Sequence, residues 1–176
     1  MNEEAMEIIL VEDDGWRRLR PLTWLRPAGD LLVGARTNAE RWELLSATRP
    51  LACCRPEVAA IDRGRRTGEA PSDSRRRLWV RDRWIPDPEW ARGALIAAGS
   101  VCWQKDGATV AAVRSTSPPD GIPSGSDGFW EALTAGCEVI DRCEGAWIAE
   151  LSDLISEGAR LLDADLESQL DAPGSP

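Results

Sequence analysis

The sequence predicts a three-layer α/β domain with a mostly parallel central sheet, on three observations. Ile8, Ile9, Leu10 and Val11 form an uninterrupted apolar run, the pattern of a strand covered on both faces. Strand-like and helix-like stretches then alternate, the short apolar segment Pro50 to Arg55 giving way to a helix start at Pro56. At 176 residues with 43% hydrophobic content, the chain suits one domain that buries a real core without covalent staples.

Taken in order, the first strand ends in a charged turn, Glu12 to Trp16, followed by a proline-punctuated loop as far as Gly34. Thr37 and Glu40 have capping-box spacing and predict a helix to about Leu45, with Ala39, Trp42 and Leu45 facing the core. A second strand over Pro50 to Arg55 precedes the helix EVAAID. The polar stretch Arg63 to Ser74 reads as an exposed loop. Arg77 to Arg83 alternates as a strand, with Leu78 and Val80 on one side and Trp79 on the other, and Trp84 to Pro86 leads it out. Asp87 is a suitable cap and Pro88 a suitable first residue for a helix that buries Trp90, Leu95 and Ile96 and ends by Gly99. Two strands, VCWQ and ATVAAVR, meet at Lys105-Asp106-Gly107, a hairpin signal because the turn needs positive φ. Lys105 is expected to be a solvated hairpin residue. Pro118 to Gly128 is a loop, either a passive connection or a lid. A short helix carrying Phe129, Trp130 and Leu133 and a brief strand, CEVID, follow. From Ala146 the apolar residues recur at three- and four-residue steps as far as Leu166, which predicts an amphipathic helical region that Gly158 divides. The expected organisation is therefore an α/β domain over residues 1–145, a helical region over 146–170 and an exposed tail over 171–176.

Composition removes whole classes of mechanism. With no His, the chain has no Ser-His-Asp or Cys-His pair and no His-ligated zinc site, and Lys105 is the only lysine among 21 basic residues. Five cysteines without a C-x-x-C pair argue against a disulfide framework and for a reducing compartment. The acidic opening MNEEAMEII does not fit a signal peptide, and no apolar run approaches ~18 residues. A soluble, cytoplasmic protein with no membrane partner is expected. The net charge of −9 is unevenly spread: Arg55 to Arg83 carries nine arginines against five acids, whereas Glu138 to Asp171 carries ten acids and two arginines. A basic stretch can recruit nucleic acid, but without aromatic residues interleaved in the loop for base stacking, solvated charge is the favoured reading.

The turn after the first strand carries the functional signal. Arg17, Arg18 and Arg20, then Arg26, follow the strand end within one loop, and in open α/β sheets ligands sit at such ends. Guanidinium groups there suit a phosphate or pyrophosphate. Arg18-Leu19-Arg20-Pro21-Leu22-Thr23 followed by Arg26-Pro27 resembles the opening of the sugar-1-phosphate nucleotidyltransferases, whose loop reads G-x-G-T-R-L-x-P-L-T and continues to R-P-K-P. It is closer to a bacterial branch reading roughly F-x-D-x-x-x-x-x-L-x-P-L-T-x-x-R-P-x-x-x-x-x-x-G, fused to a left-handed β-helix acyltransferase domain; Gly34 fits the final position. The resemblance is strongest over the first forty-odd residues.

It implies a Rossmann-like, nucleotidyltransferase-like sandwich in which a sugar 1-phosphate attacks the α-phosphorus of a nucleoside triphosphate and pyrophosphate leaves. The implied partners are these two substrates, with a β-helix acyltransferase domain or a second copy of the chain as macromolecular partner; no hexapeptide repeat is present in the sequence. Aligned on Arg18, the family's two glycines fall at Asp14 and Trp16, its threonine at Arg17 and its lysine at Ala28, leaving Gly15 as the only glycine of the turn. Arg17, Arg18 and Arg26 are then the expected phosphate contacts, with Gly15 permitting the turn and Asp13 or Asp14 offering carboxylate oxygens to magnesium. Pro21 and Thr23 shape the loop. Two other readings stay open: a solvated acidic turn beside structural arginines, and a non-catalytic domain of the same fold serving assembly or regulation.

Overall fold

In the computed structural model, which describes residues 6–62, 76–116 and 122–170, the apolar run is β1 (Glu7–Val11) at the interior of a six-stranded sheet. Its neighbours are β4 (Leu51–Cys53) and β5 (Arg77–Arg81), both parallel to it. The sheet continues through β8 (Ala108–Arg114) and β7 (Val101–Lys105) to β9 (Glu138–Ile140). Only β8 runs against the others, because the β7–β8 connection is a tight hairpin whose Asp106 (φ 52°) and Gly107 (φ 76°) both take left-handed conformations.

Alternation along the strands builds a core on each face. Ile8, Leu10, Leu78 and Val80 point to one side, where α1 (Asn38–Ser46) delivers Trp42 and α3 (Pro88–Ile96) delivers Ala91 and Ala94. Ile9, Val11 and Trp79 point to the other, against Phe129, Trp130 and Leu133 of α4 (Asp127–Thr134). Each such enclosed large side chain contributes about 1.5–3 kcal/mol from burial. The caps fall as expected: Thr37 and Glu40 form the capping box of α1, and Asp87 caps α3 with Pro88 at its start. The helix α2 (Pro56–Asp62) follows β4. The predicted loop from Arg63 to Ser74 lies outside the described residues, as do the first part of the 118–128 loop and the tail from 171.

Three expectations are corrected. Ile96 is 81% exposed, since the face of α3 that meets the sheet is centred on Ala91 and Ala94 and the last turn swings Ile96 outward. Trp84 to Pro86 is itself a strand, β6 (Trp84–Pro86), paired antiparallel with β10 (Gly145–Trp147) in a separate ribbon, so the segment from Ala146 starts as strand and not helix. The helix then runs unbroken as α5 (Leu151–Leu170), through Gly158. A small ribbon of β2 (Leu32–Val33) and β3 (Arg36–Thr37) lies under α5, and Leu31, Val33, Ile85, Ala146, Ile148 and Leu161 close a third apolar cluster there. Among the described residues no helix is long and apolar enough to cross a membrane.

Candidate functional site

Parallel pairing brings the carboxyl ends of β1 and β5 side by side, so the charged residues after each strand meet. Asp82 N donates to Val11 O at 2.9 Å, fixing the two turns together. Asp13 caps the short 3-10 helix Asp14–Leu19, accepting from Gly15 N at 3.0 Å. Its carboxylate also takes Arg83 through Nε (2.7 Å) and Nη2 (3.0 Å), and Arg81 through Nη1 (2.8 Å). Burial works against the Asp13 charge, but the Arg83 and then the Arg81 guanidinium outweigh it and hold the carboxyl below its ordinary range. Gly15 has a specific duty here: a Cβ at this position would collide with the Arg83 guanidinium. Arg83 is further fixed by Ile148 O (2.8 Å) and the Trp147 ring 4.8 Å away, and Arg81 by Thr109 O (2.6 Å) and the Trp130 ring at 4.7 Å.

Beyond these anchors a cavity of about 540 Å³ opens, walled by Asp14, Arg18, Arg81, Ser126, Asp127 and Trp147. Its free donors are few and well defined. Arg18 has no hydrogen bond or ion pair among the described residues, and Arg81 keeps Nη2 uncommitted after Nε and Nη1 are used. The far wall is the loop before α4, seated so closely that a Cβ on Gly125 (φ 76°) would strike the Glu12 carbonyl.

The residues singled out in the sequence separate. Gly15, Arg18, Asp13 and Asp14 border this cavity. Arg17 is exposed and ion-paired with Asp14, three residues away on the same turn. Arg26 lines a different, smaller hollow with Asp30, Glu40 and Arg49, so it does not converge with Arg18. The loop holding them is tied down by Arg55, which pairs with Glu12, donates to Thr23 O and lies 3.9 Å from the Trp16 ring centroid. Thr23 is buried with Oγ1 donating to Trp16 O at 2.9 Å, a loop-shaping role. Lys105 is not merely solvated: its Nζ donates to Gly145 O at 3.1 Å and stands 4.9 Å from the Trp84 ring centroid.

Asp13 does not fit a magnesium ligand, because guanidinium groups occupy both its oxygens. Among the described residues no three acidic or sulfur side chains cluster to cage an ion. Asp14 is the carboxylate of the two that remains available at the cavity, exposed and bonded through one oxygen only.

Sequence reasoning weighted the turn after β1 and missed its counterpart after β5. Arg81-Asp82-Arg83 carries the same signal, an apolar strand running into alternating charge, and the central position of β1 requires such a neighbour. Trp147 and Ser126 carry no local mark and enter only through packing.

A crevice at the carboxyl ends of parallel strands, lined by guanidinium groups, lies where open α/β sheets place their ligands. The chain belongs to the sugar nucleotidyl transferase family, whose sequence profile matches residues 8–170. The likeness carried by Arg18 to Pro27 therefore extends across nearly the whole chain, and nucleotidyl transfer is the chemistry of the family to which it belongs. No curated protein matches the chain.

Proposed function

We propose that the chain transfers a nucleotidyl group from a nucleoside triphosphate to a sugar 1-phosphate, releasing pyrophosphate, with the phosphates lodged in the cavity at the ends of β1 and β5. The observation that carries this reading is that Arg18 and Arg81, each with uncommitted donors, line one cavity at that edge of the sheet. The attacking oxygen of a sugar 1-phosphate is already anionic, so no general base is required, which suits a chain without histidine. The protein's contribution is positioning and neutralisation of charge that develops between attacking and leaving oxygens. Arg18 meets the phosphates from the loop, Arg81 from the strand, and Asp13 holds Arg81 and Arg83 in place. Arg17 and Arg26 contribute field from outside the cavity. Asp14, the carboxylate available at the cavity, is the residue that would hold a magnesium ion, which would supply neutralisation of phosphate charge.

Pyrophosphate release, measured over several sugar 1-phosphates and nucleoside triphosphates with magnesium, tests the reading. Turnover is expected, and Arg18→Ala is expected to lower kcat/KM by about 10²-fold, the loss of one charge-stabilising donor. Turnover unaffected by Arg18→Ala would remove the cavity from the reaction. A second reading, a non-catalytic nucleotide-binding module, is favoured by the pairing of Arg17 with Asp14 and the separation of Arg26 from Arg18. Saturable nucleotide binding with no pyrophosphate release across the substrate panel would select it.

A further inference from the structure

Between the β6–β10 ribbon, α1 and α5 lies a second and larger cavity of about 720 Å³, within the range of small-molecule sites. It has no part in the transfer reading and meets the first cavity only at Trp147. Its floor is apolar: Ile85, Ala146 and Leu161 belong to the buried cluster beneath α5, and Leu45 closes the side toward α1.

Most acids around it are already served. Asp165 is buried and held by Arg41 at 2.5 and 2.6 Å, with Arg36 at 3.6 Å. Glu157 pairs with Arg160, and Asp87 Oδ1 caps α3. Glu144 lies exposed, 3.9 Å from Arg142. Two cations on the cavity wall have no carboxylate partner among the described residues. Arg92 makes no hydrogen bond or ion pair there, and Lys105 uses one N–H on Gly145 O, leaving two of its three. An ammonium group ordinarily stays in bulk water. Here it is held on the cavity wall by a carbonyl and an aromatic face, which fixes a positive charge beside the apolar floor in a protein of net charge −9.

The geometry points to a second ligand site in this cavity, taking a small amphipathic anion: an aromatic or aliphatic body against Leu45, Ile85 and Leu161, and a carboxylate, sulfonate or phosphate toward Lys105 and Arg92. Body and charge are both needed, because the apolar floor gives no charge recognition and two partly hydrated cations give little affinity alone. The site is independent of the transfer reaction and does not stand or fall with it.

The probe is anilinonaphthalene sulfonate, an aromatic anion whose fluorescence rises on leaving water, titrated into the full chain. Saturable binding at one site is expected. The double variant Arg92→Ala/Lys105→Ala is expected to weaken it by about tenfold, the loss of charge-assisted contacts. Arg18→Ala, in the other cavity, is expected to leave it unchanged. Ala164→Trp, which fills the cavity from the solvent side of α5, is expected to abolish the signal while thermal unfolding stays cooperative. Binding that is absent in the native chain, that survives either the double variant or Ala164→Trp, or that weakens equally with Arg18→Ala, overturns the assignment.

Discussion

Asp13 serves two arginines and a backbone N–H at once, while among the described residues its neighbour Asp82 is buried with no partner for Oδ1 and only Gly29 N, at 3.2 Å, donating to Oδ2. The two carboxyls therefore respond to pH in opposite senses. Asp13 is held below its ordinary range, so its stabilising contribution is full above the unfolded-state value, about 3.9, and is lost as pH falls through the lower folded value. Asp82 is pushed well above its ordinary range by burial first, then by the charges of Asp13 and Glu12, so folding favours its protonated form and stability declines as pH rises from about 4. Asp82→Asn keeps an acceptor for Gly29 N and removes the ionisable group. It is expected to raise the melting temperature at pH 8 by at least about 2–4 °C, the equivalent of ~1 kcal/mol, with the gain vanishing toward pH 4. Asp13→Asn is expected to cost about 3–5 kcal/mol in urea unfolding at pH 7, since the buried Arg83 and the half-buried Arg81 guanidinium groups lose their counter-charge. At this scale the sequence showed that Asp13 and Asp14 occupy a charged turn. It did not show that one is locked and the other open, because the arginines that decide this lie about 70 positions away in the chain.

Helix α5 is seated by a close approach that the sequence motif marks without explaining. Gly34, which fits the last position of the family pattern, has φ 73°, and a Cβ there would stand 2.8 Å from Asp165 Oδ2 and 3.0 Å from the Leu161 carbonyl carbon. Asp165 in turn accepts from Ala35 N at 2.9 Å and holds Arg41, fastening the helix to the loop and to α1. Gly34→Ala combines left-handed strain with steric overlap and is expected to destabilise by about 2–4 kcal/mol in chemical unfolding. Gly158 faces the same contact from the helix side, but a Cβ there meets Gly34 N at 3.5 Å, an ordinary distance. Gly158→Ala is therefore expected to stabilise by about 0.5–1 kcal/mol through helix propensity. Opposite signs at two glycines of one contact are the check. Local rules placed the caps of α1 and α3 and the β7–β8 hairpin, because those signals lie within four residues of one another. They failed at β6 and β10, each three residues long, whose strand character depends on pairing across some sixty positions.

For the molecule as a whole, three apolar clusters share walls: Trp84 of β6 packs in the cluster with α1 and α3, Ile85 in the one beneath α5, and Trp147 of β10 contacts Trp84 while lining both cavities. Among the described residues, β6 and β10 thus join the cluster beneath α5 to the one under α1 and α3. Urea unfolding followed by tryptophan fluorescence and by far-ultraviolet circular dichroism is expected to give coincident single transitions; a separate early loss of helix would show that α5 melts alone. The sequence by itself determined the α/β class, the central place of β1, the helix caps and the family, because strand burial, capping and loop motifs are written in contiguous residues. Only the tertiary structure decided which arginines face the cavity, which carboxylate keeps an oxygen uncommitted and where the second cavity lies. Those outcomes depend on side chains from separate strands and helices competing for the same partners, and that competition is settled only when the sheet brings them together.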